Sequence, residues 1–281
     1  MNWITDAKIP IGPWAKSFVD WLTTNADWFF NQLASLLSHV IDALLFVLQA
    51  PNPLIVIVAI GAIAWWLRRS VTVAVFTCLG LLLIMNQGYW KETTETLALV
   101  LASTFVSMIV GIPLGIAAAR RAWVYSVLRP VLDLMQTIPT FVYLIPALIL
   151  FGLGMVPGLI ATVIFAIPAP IRLTRLGIIS TPPSLVEAAE SFGATPMQVL
   201  RKVELPFATP QIMAGLTQTI MLSLSMVVIA ALVGADGLGV PVVRALNTVN
   251  VAKGFEAGLC IVILAIILDR MFRTAGEGDG A

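Results

Sequence analysis

Few of the 281 residues carry side chains able to do chemistry, and their spacing argues for contact with a partner over catalysis. One histidine, His39, and two cysteines, Cys78 and Cys260, are too few soft ligands for a structural zinc site. Both cysteines sit inside apolar runs and read as small buried hydrophobes, not as a disulfide or redox pair. No Gly-x4-Gly-Lys-Ser/Thr loop occurs, so the chain lacks that route to ATP. The informative stretch is polar and runs from 176 to 209. Pro182-Pro183 stops a helix, and Ser184 with Glu187 three residues on has the spacing of a capping box. The short helix predicted there carries Val186, Ala188 and Ala189 and ends near Gly193, a residue suited to a left-handed turn. Thr195-Pro196 with Gln198 opens a second short helix, predicted to stop at Leu205-Pro206. Two short helices on a glycine elbow, with a low alanine surface, form a seat for another protein's side chains.

The elements that hold this loop must live in lipid. The chain is 59% hydrophobic and 11% charged, with a mean hydropathy of +0.98. Soluble domains carry about a quarter charged residues, so a water-covered globule of this composition is excluded. A net charge of +1 gives no reason to expect nucleic acid. The reading is an all-α polytopic membrane protein with about seven spans plus an N-terminal amphipathic helix. The predicted spans are Pro53–Leu67, Val71–Asn86, Thr93–Ala119, Val131–Phe151, Pro157–Leu173, Gln211–Val233 and Lys253–Phe272. Residues 1–50 form a tail and amphipathic segment, 51–275 the membrane domain, and 276–281 a short acidic tail. Between Trp28 and Gln49 the polar residues Asn31, Ser35, Ser38, His39, Asp42 and Gln49 make one wet stripe, as in a helix lying in the membrane interface. A spanning helix with the stripe packed on neighbours is the other reading.

Eleven of the sixteen basic residues, from Arg68 to Arg273, fall on one set of connections; Lys8, Lys16, Lys91, Arg244 and Lys253 fall on the other. The richer side is predicted to be cytoplasmic, with the N-terminus outside and the C-terminus inside. No charge sits at the centre of a predicted span, which counts against a proton-coupled carrier. Sodium sites can use backbone carbonyls, so an ion-coupled secondary carrier stays the rival from another class. Candidates for a polar translocation path are Gln136, Thr137 and Thr140 on the fourth span and Gln218, Ser223 and Ser225 on the sixth. The same groups could instead hydrogen-bond between packed helices. The tryptophans sit near span borders and not in a mid-membrane cluster, and Phe105, Phe141, Tyr143, Phe151 and Phe165 read as packing or lipid-facing before path-lining. A cage for a quaternary cation is therefore expected in a separate binding protein.

Glu187-Ala188-Ala189, Gly193 and Val203-Glu204-Leu205-Pro206 together resemble the EAA loop of the membrane subunits of bacterial ABC importers; Val203 replaces the commoner isoleucine. Met135 to Pro146, Phe151 to Gly158, Leu222 to Ala230 and Ile263 to Arg270 are similar to permeases for glycine betaine, proline betaine and choline, with the choline permeases the nearest likeness. The resemblance implies a type I ABC importer transmembrane domain in the bacterial cytoplasmic membrane, acting as a two-fold homodimer. It implies two cytoplasmic ABC ATPase subunits, which supply the ATP and Mg chemistry, and an external substrate-binding protein. No cofactor is expected in this chain. By matching positions, Glu187, Ala188, Ala189 and Gly193 would contact the ATPase, with Leu205 and Pro206 closing the loop.

The basic-residue count yields a topology test. A cysteine introduced at Ser184 should react with an impermeant thiol reagent from the cytoplasmic side of inverted vesicles, and not in intact cells. Labelling of intact cells would overturn the orientation.

Overall fold

The computed structural model describes residues 10–273; the first nine residues, including Lys8, and the acidic tail at 276–281 lie outside them. Every regular element among the described residues is helical. Helices α1 (Ile11–Asn25) and α2 (Asp27–Gln49) precede a hairpin of short apolar helices, α3 (Pro53–Arg68) and α4 (Val71–Asn86). The long rod α5 (Trp90–Arg120) is followed by α6 (Ala122–Thr137), α7 (Thr140–Phe151), α8 (Met155–Ala166) and α9 (Pro168–Ile179). The polar stretch gives α10 (Pro183–Ser191) and α11 (Pro196–Val199), and the chain closes with α12 (Leu205–Ala231), α13 (Gly239–Asn247) and α14 (Val251–Phe272).

Five stretches are long and apolar enough to cross a membrane: Asp27–Gln49, Trp90–Arg120, Met155–Ile179, Pro196–Ala231 and Val251–Phe272. At 16 residues each, α3 and α4 reach about 24 Å, short of a full ~30 Å hydrocarbon core. The predicted fourth span, Val131–Phe151, is not one rod. It breaks between α6 and α7 with a bend of 99°. Pro139 has no N–H to continue the helix and holds Ile138 in extended backbone at φ −66°, ψ 132°. The carbonyls freed at the break are covered by the hydroxyl of Tyr143, which contacts Met135 O and donates to Ile138 O at 3.1 Å. Beyond the bend, α6 keeps Trp123, Val127, Val131 and Leu134 exposed along one side. Its other side is tied to α9: Arg172 reaches Asp133 and Gln136, and the Arg175 guanidinium stacks 3.5 Å from the Tyr125 ring centre.

The core is a tight packing of α5, α8–α9 and α12, flanked by α14 and the α3–α4 hairpin through Ile57, Leu81, Ile84, Ile220 and Leu264. Helix α2 turns Leu37 and Ile41 onto this body while Asn31, Ser35, His39 and Asp42 stay exposed. Its length and hydropathy are those of a span; most of its polar stripe faces away from the bundle, while Gln49 donates to Thr94 Oγ1 of α5 at 2.9 Å.

Helices α5 and α9 cross at close range. A Cβ on Gly115 would lie 2.7 Å from Thr174 Cβ and 2.8 Å from Ile171 O, and one on Gly111 would lie 2.7 Å from Pro170 Cγ. Small residues four apart let two backbones meet, as membrane helices require when no hydrophobic effect drives them together. Gly115→Val must therefore push against backbone, and should cost about 1–3 kcal/mol. The purified variant in lipid nanodiscs should melt at a lower temperature than the parent; an equal midpoint would show that the crossing tolerates separation.

Candidate functional site

The loop between α9 and α12 is built from local backbone chemistry. Helix α10 begins on Pro182 and Pro183, with no side-chain cap, so the expected Ser184–Glu187 box does not form. The reason is positional: Pro183 takes the first helical position and moves Ser184 inside the helix. Its C-terminus is a Schellman turn. Ala194 N–H donates to Ala189 O at 3.1 Å and Gly193 N–H to Glu190 O at 2.8 Å, with Gly193 at φ +78°. That angle is where glycine is preferred over any residue with a Cβ. The elbow predicted at Gly193 is present.

The second predicted capping box, unlike the first, does form. Thr195 Oγ1 accepts from Gln198 N–H at 3.4 Å, and Gln198 Oε1 accepts from Thr195 N–H at 2.7 Å. The helix it opens does not stop at Leu205-Pro206. It passes through a π-helical turn, Leu200–Glu204, straight into α12, giving one helical stretch from Pro196 to Ala231. Pro206 lacks the N–H of an α-type bond and its ring crowds the carbonyl four residues back. The wider π turn, closed by Leu205 N–H on Leu200 O, absorbs both problems.

No residue of α10 is buried. Glu187 and Ala188 are exposed, Ala189 is half-buried, and Phe192 at the elbow is 93% exposed. A cleft of about 350 Å³ runs along Ala189, Phe192, Gly193, Ala194, Gln198, Lys202 and Val203. Of the residues predicted to contact a partner, Ala189 and Gly193 line this cleft, Glu187 and Ala188 are exposed on α10, and Leu205 and Pro206 begin α12. Below them is a contact no local pattern announces: Arg120, the last residue of α5, pairs with Glu204 at 2.6 Å.

The polar residues predicted for a path separate into two groups. Ser223 is fully buried and its hydroxyl lies 3.1 Å from Ser103 Oγ of α5, so it bonds between packed helices. Gln136 is held by Arg172, whose Nη1 donates to Oε1 at 2.8 Å, while Nη2 lies 2.7 Å from Asp133. Thr137 is exposed and donates to Asp133 O at 2.9 Å, back along its own helix. Thr140 starts α7 just after the bend and is half-buried. Gln218 and Ser225 are exposed on α12, with Met221 between them, at the spacing of one helical face. The path candidates therefore do not line one cavity within a single chain.

At the end of α5 remote from the loop, a cavity of about 780 Å³ is lined by Tyr89, Glu92, Glu95, Asp236, Arg244 and Lys253, among others. Glu95 is 7% exposed and lies 3.6 Å from Lys91. Asp236 sits on the Gly234–Gly237 turn, where both glycines have positive φ.

Residues 111–274 match the family described as binding-protein-dependent transport system inner membrane component. The chain is 47% identical over 264 residues to the glycine betaine transport system permease protein OpuAB of Bacillus subtilis, covering 94% of this chain and 93% of that one. It is 47% identical over 266 residues to the glycine betaine/carnitine transport permease protein GbuB of Listeria monocytogenes, covering 94% of each. Against the glycine betaine/proline betaine transport system permease protein ProW of Escherichia coli it is 42% identical over 269 residues, 96% of this chain and 76% of that one. Among solved structures it is similar to the inward-facing MetNI methionine ABC transporter, with a TM-score of 0.57 and 25% identity over 62% of this chain and 88% of that one. That likeness agrees with the fold of a type I importer's membrane domain. The matched region contains the whole two-helix loop and the α5–α9 crossing, and the chain belongs to the family of inner membrane components of binding-protein-dependent transport systems.

Proposed function

We propose that this chain is the membrane-spanning permease subunit of an ATP-driven importer of glycine betaine and related quaternary ammonium compounds. The observation that carries the reading is the loop: an unburied helix, α10, on a Gly193 elbow, with its second half continuous with the membrane helix α12. A load applied to α10 passes through the elbow into α12. Two such permeases pair, each receives one ATPase subunit at Glu187, Ala188, Ala189 and Gly193, and an external binding protein delivers the substrate. ATP and Mg belong to the ATPase. The loop side is cytoplasmic, and Leu205 and Pro206 join it to the span.

The relatives' names favour glycine betaine over choline, which the sequence likeness put first; a relative of Bacillus subtilis named for glycine betaine, carnitine and choline keeps choline as the second reading. An ion-coupled carrier has little support. Among the described residues the one buried carboxylate is Glu95, in the second turn of α5 and away from mid-membrane. The exposed Gln218–Ser225 face of α12 is the better path surface, uncharged and lined up along one side, and Ser223 is packing.

The substrate reading is tested in proteoliposomes holding the permease, its ATPase and its binding protein. Glycine betaine uptake should require ATP, and choline should compete weakly. Accumulation without ATP would sink the importer, and choline transported in preference would reverse the substrate order.

Gly193→Val should abolish uptake while the complex still assembles and hydrolyses ATP. Nothing lies within 4 Å of a Cβ there, so the effect is purely one of backbone angle, about 1–2 kcal/mol against the left-handed turn and more for a β-branched side chain. Glu187→Ala removes no cap and should leave the loop's shape intact. Uptake and stimulated hydrolysis both at parental level in the Gly193 variant would show that this loop does not couple the two.

A further inference from the structure

Arg120 ends α5 and occupies its last turn, where a cation meets the negative end of the helix. Its Nη2 donates to the Pro196 carbonyl oxygen at 3.1 Å and pairs with Glu204 Oε2 at 2.6 Å. These partners stand at the two ends of the segment formed by α11 and the π turn. Glu204 keeps 12% of its side chain exposed and Arg120 33%, so the pair is largely shielded from water. One guanidinium thus holds both ends of the second coupling helix against α5. The first helix is not held this way. A cleft of about 330 Å³, lined by Ile179, Thr181, Pro183, Val186 and Glu187 as well as by Arg120, separates α10 from the bundle.

We propose that Arg120 is a positioning residue for coupling: it locks the second loop helix to α5, so that movement of α10 turns α5 and α12 together. The inference rests on the importer reading given above. Without the clasp, a push on α10 reaches α12 alone, through the π turn at Leu200–Glu204. With the clasp, the push also enters α5. That helix is already fixed to α9 through Gly111 and Gly115 and to α12 through Ser103 and Ser223. Its far end carries Glu92 and Glu95 into the cavity at the opposite side. A single charged contact therefore decides whether both faces of the bundle respond to the loop.

The test is the reconstituted complex of permease, ATPase and binding protein, scored as glycine betaine taken up per ATP hydrolysed. Arg120→Ala removes a charge-assisted pair and a second hydrogen bond, and the ratio should fall about tenfold with basal hydrolysis retained. Glu204→Gln keeps an acceptor but not the charge and should give an intermediate ratio; it carries the test if the alanine variant fails to assemble. Arg120→Glu should uncouple, and Arg120→Glu combined with Glu204→Arg should recover a substantial part of the ratio. A merely structural role would not produce that rescue. A parental ratio in both Arg120→Ala and Glu204→Gln would overturn the proposal, as would a double reversal no better than the single one. Gly193→Val separates the two levels: if it uncouples while the Arg120 variants do not, the clasp fails and the importer reading stands. If no loop variant changes the ratio, the reading itself fails.

Discussion

Where α5 crosses α9, Gly111 and Gly115 leave no room for a Cβ against Pro170, Ile171 and Thr174, and the rest of the bundle is arranged around that crossing. Lipid offers helices no hydrophobic reason to associate, so close packing and internal hydrogen bonds must do it. Gly111 and Gly115 bring the backbones together, and buried hydroxyls on α5 then come within reach of neighbours, as Ser103 does with Ser223 of α12. Helix α5 is 31 residues long, about 46 Å, so fixing its middle also fixes what each end can touch. One end presents Arg120 to the loop and the other presents Glu95 to the distant cavity.

The second constraint is proline. Pro139 and Pro206 each interrupt a hydrophobic run, yet the two outcomes differ. At Pro139 the chain turns by 99°, because Ile138 is forced into extended backbone and Tyr143 supplies a hydroxyl to the carbonyls left behind. At Pro206 the helix continues, because one residue of π geometry makes room for the ring. Bending needs a partner for the orphaned carbonyls; continuity needs an extra residue in the turn. The consequence is functional in both cases. The first gives α6, pinned to α9 by Arg172, and the second joins the loop to α12 without a hinge.

Local chemistry was legible in the sequence, and contacts between distant segments were not. Thr195, Pro196 and Gln198 announce a capping box because all its atoms lie within four residues. Gly193 announces its elbow for the same reason. Ser184 and Glu187 have identical spacing, yet Pro183 takes the first helical position and the box fails. Arg120 and Glu204 are 84 residues apart, and nothing near either foretells the other. Gln136 reads as a free amide beside Asp133 until Arg172, 36 residues on, claims both. Hydropathy likewise locates apolar runs but cannot say whether Val131–Phe151 is straight, since the deciding hydroxyl of Tyr143 is silent in a hydropathy profile.

Rigid and exposed surfaces divide by what surrounds them. Ser223 and Thr219 on α12 are fully buried, the first bonded to α5 and the second to Gly215 O on its own helix, so neither hydroxyl is left to meet a passing solute. Gln218 and Ser225 lie on another face of the same helix, and only Ser225 spends its hydroxyl locally, on Met221 O at 3.0 Å. A polar amide left facing outward from a membrane helix is costly in lipid and cheap against water or a second protein surface. The same helix therefore carries a packed face and a face bearing an amide, which is favourable only beside water or another protein surface. Both faces belong to α12, which is directly continuous with the loop, so neither can move without the other.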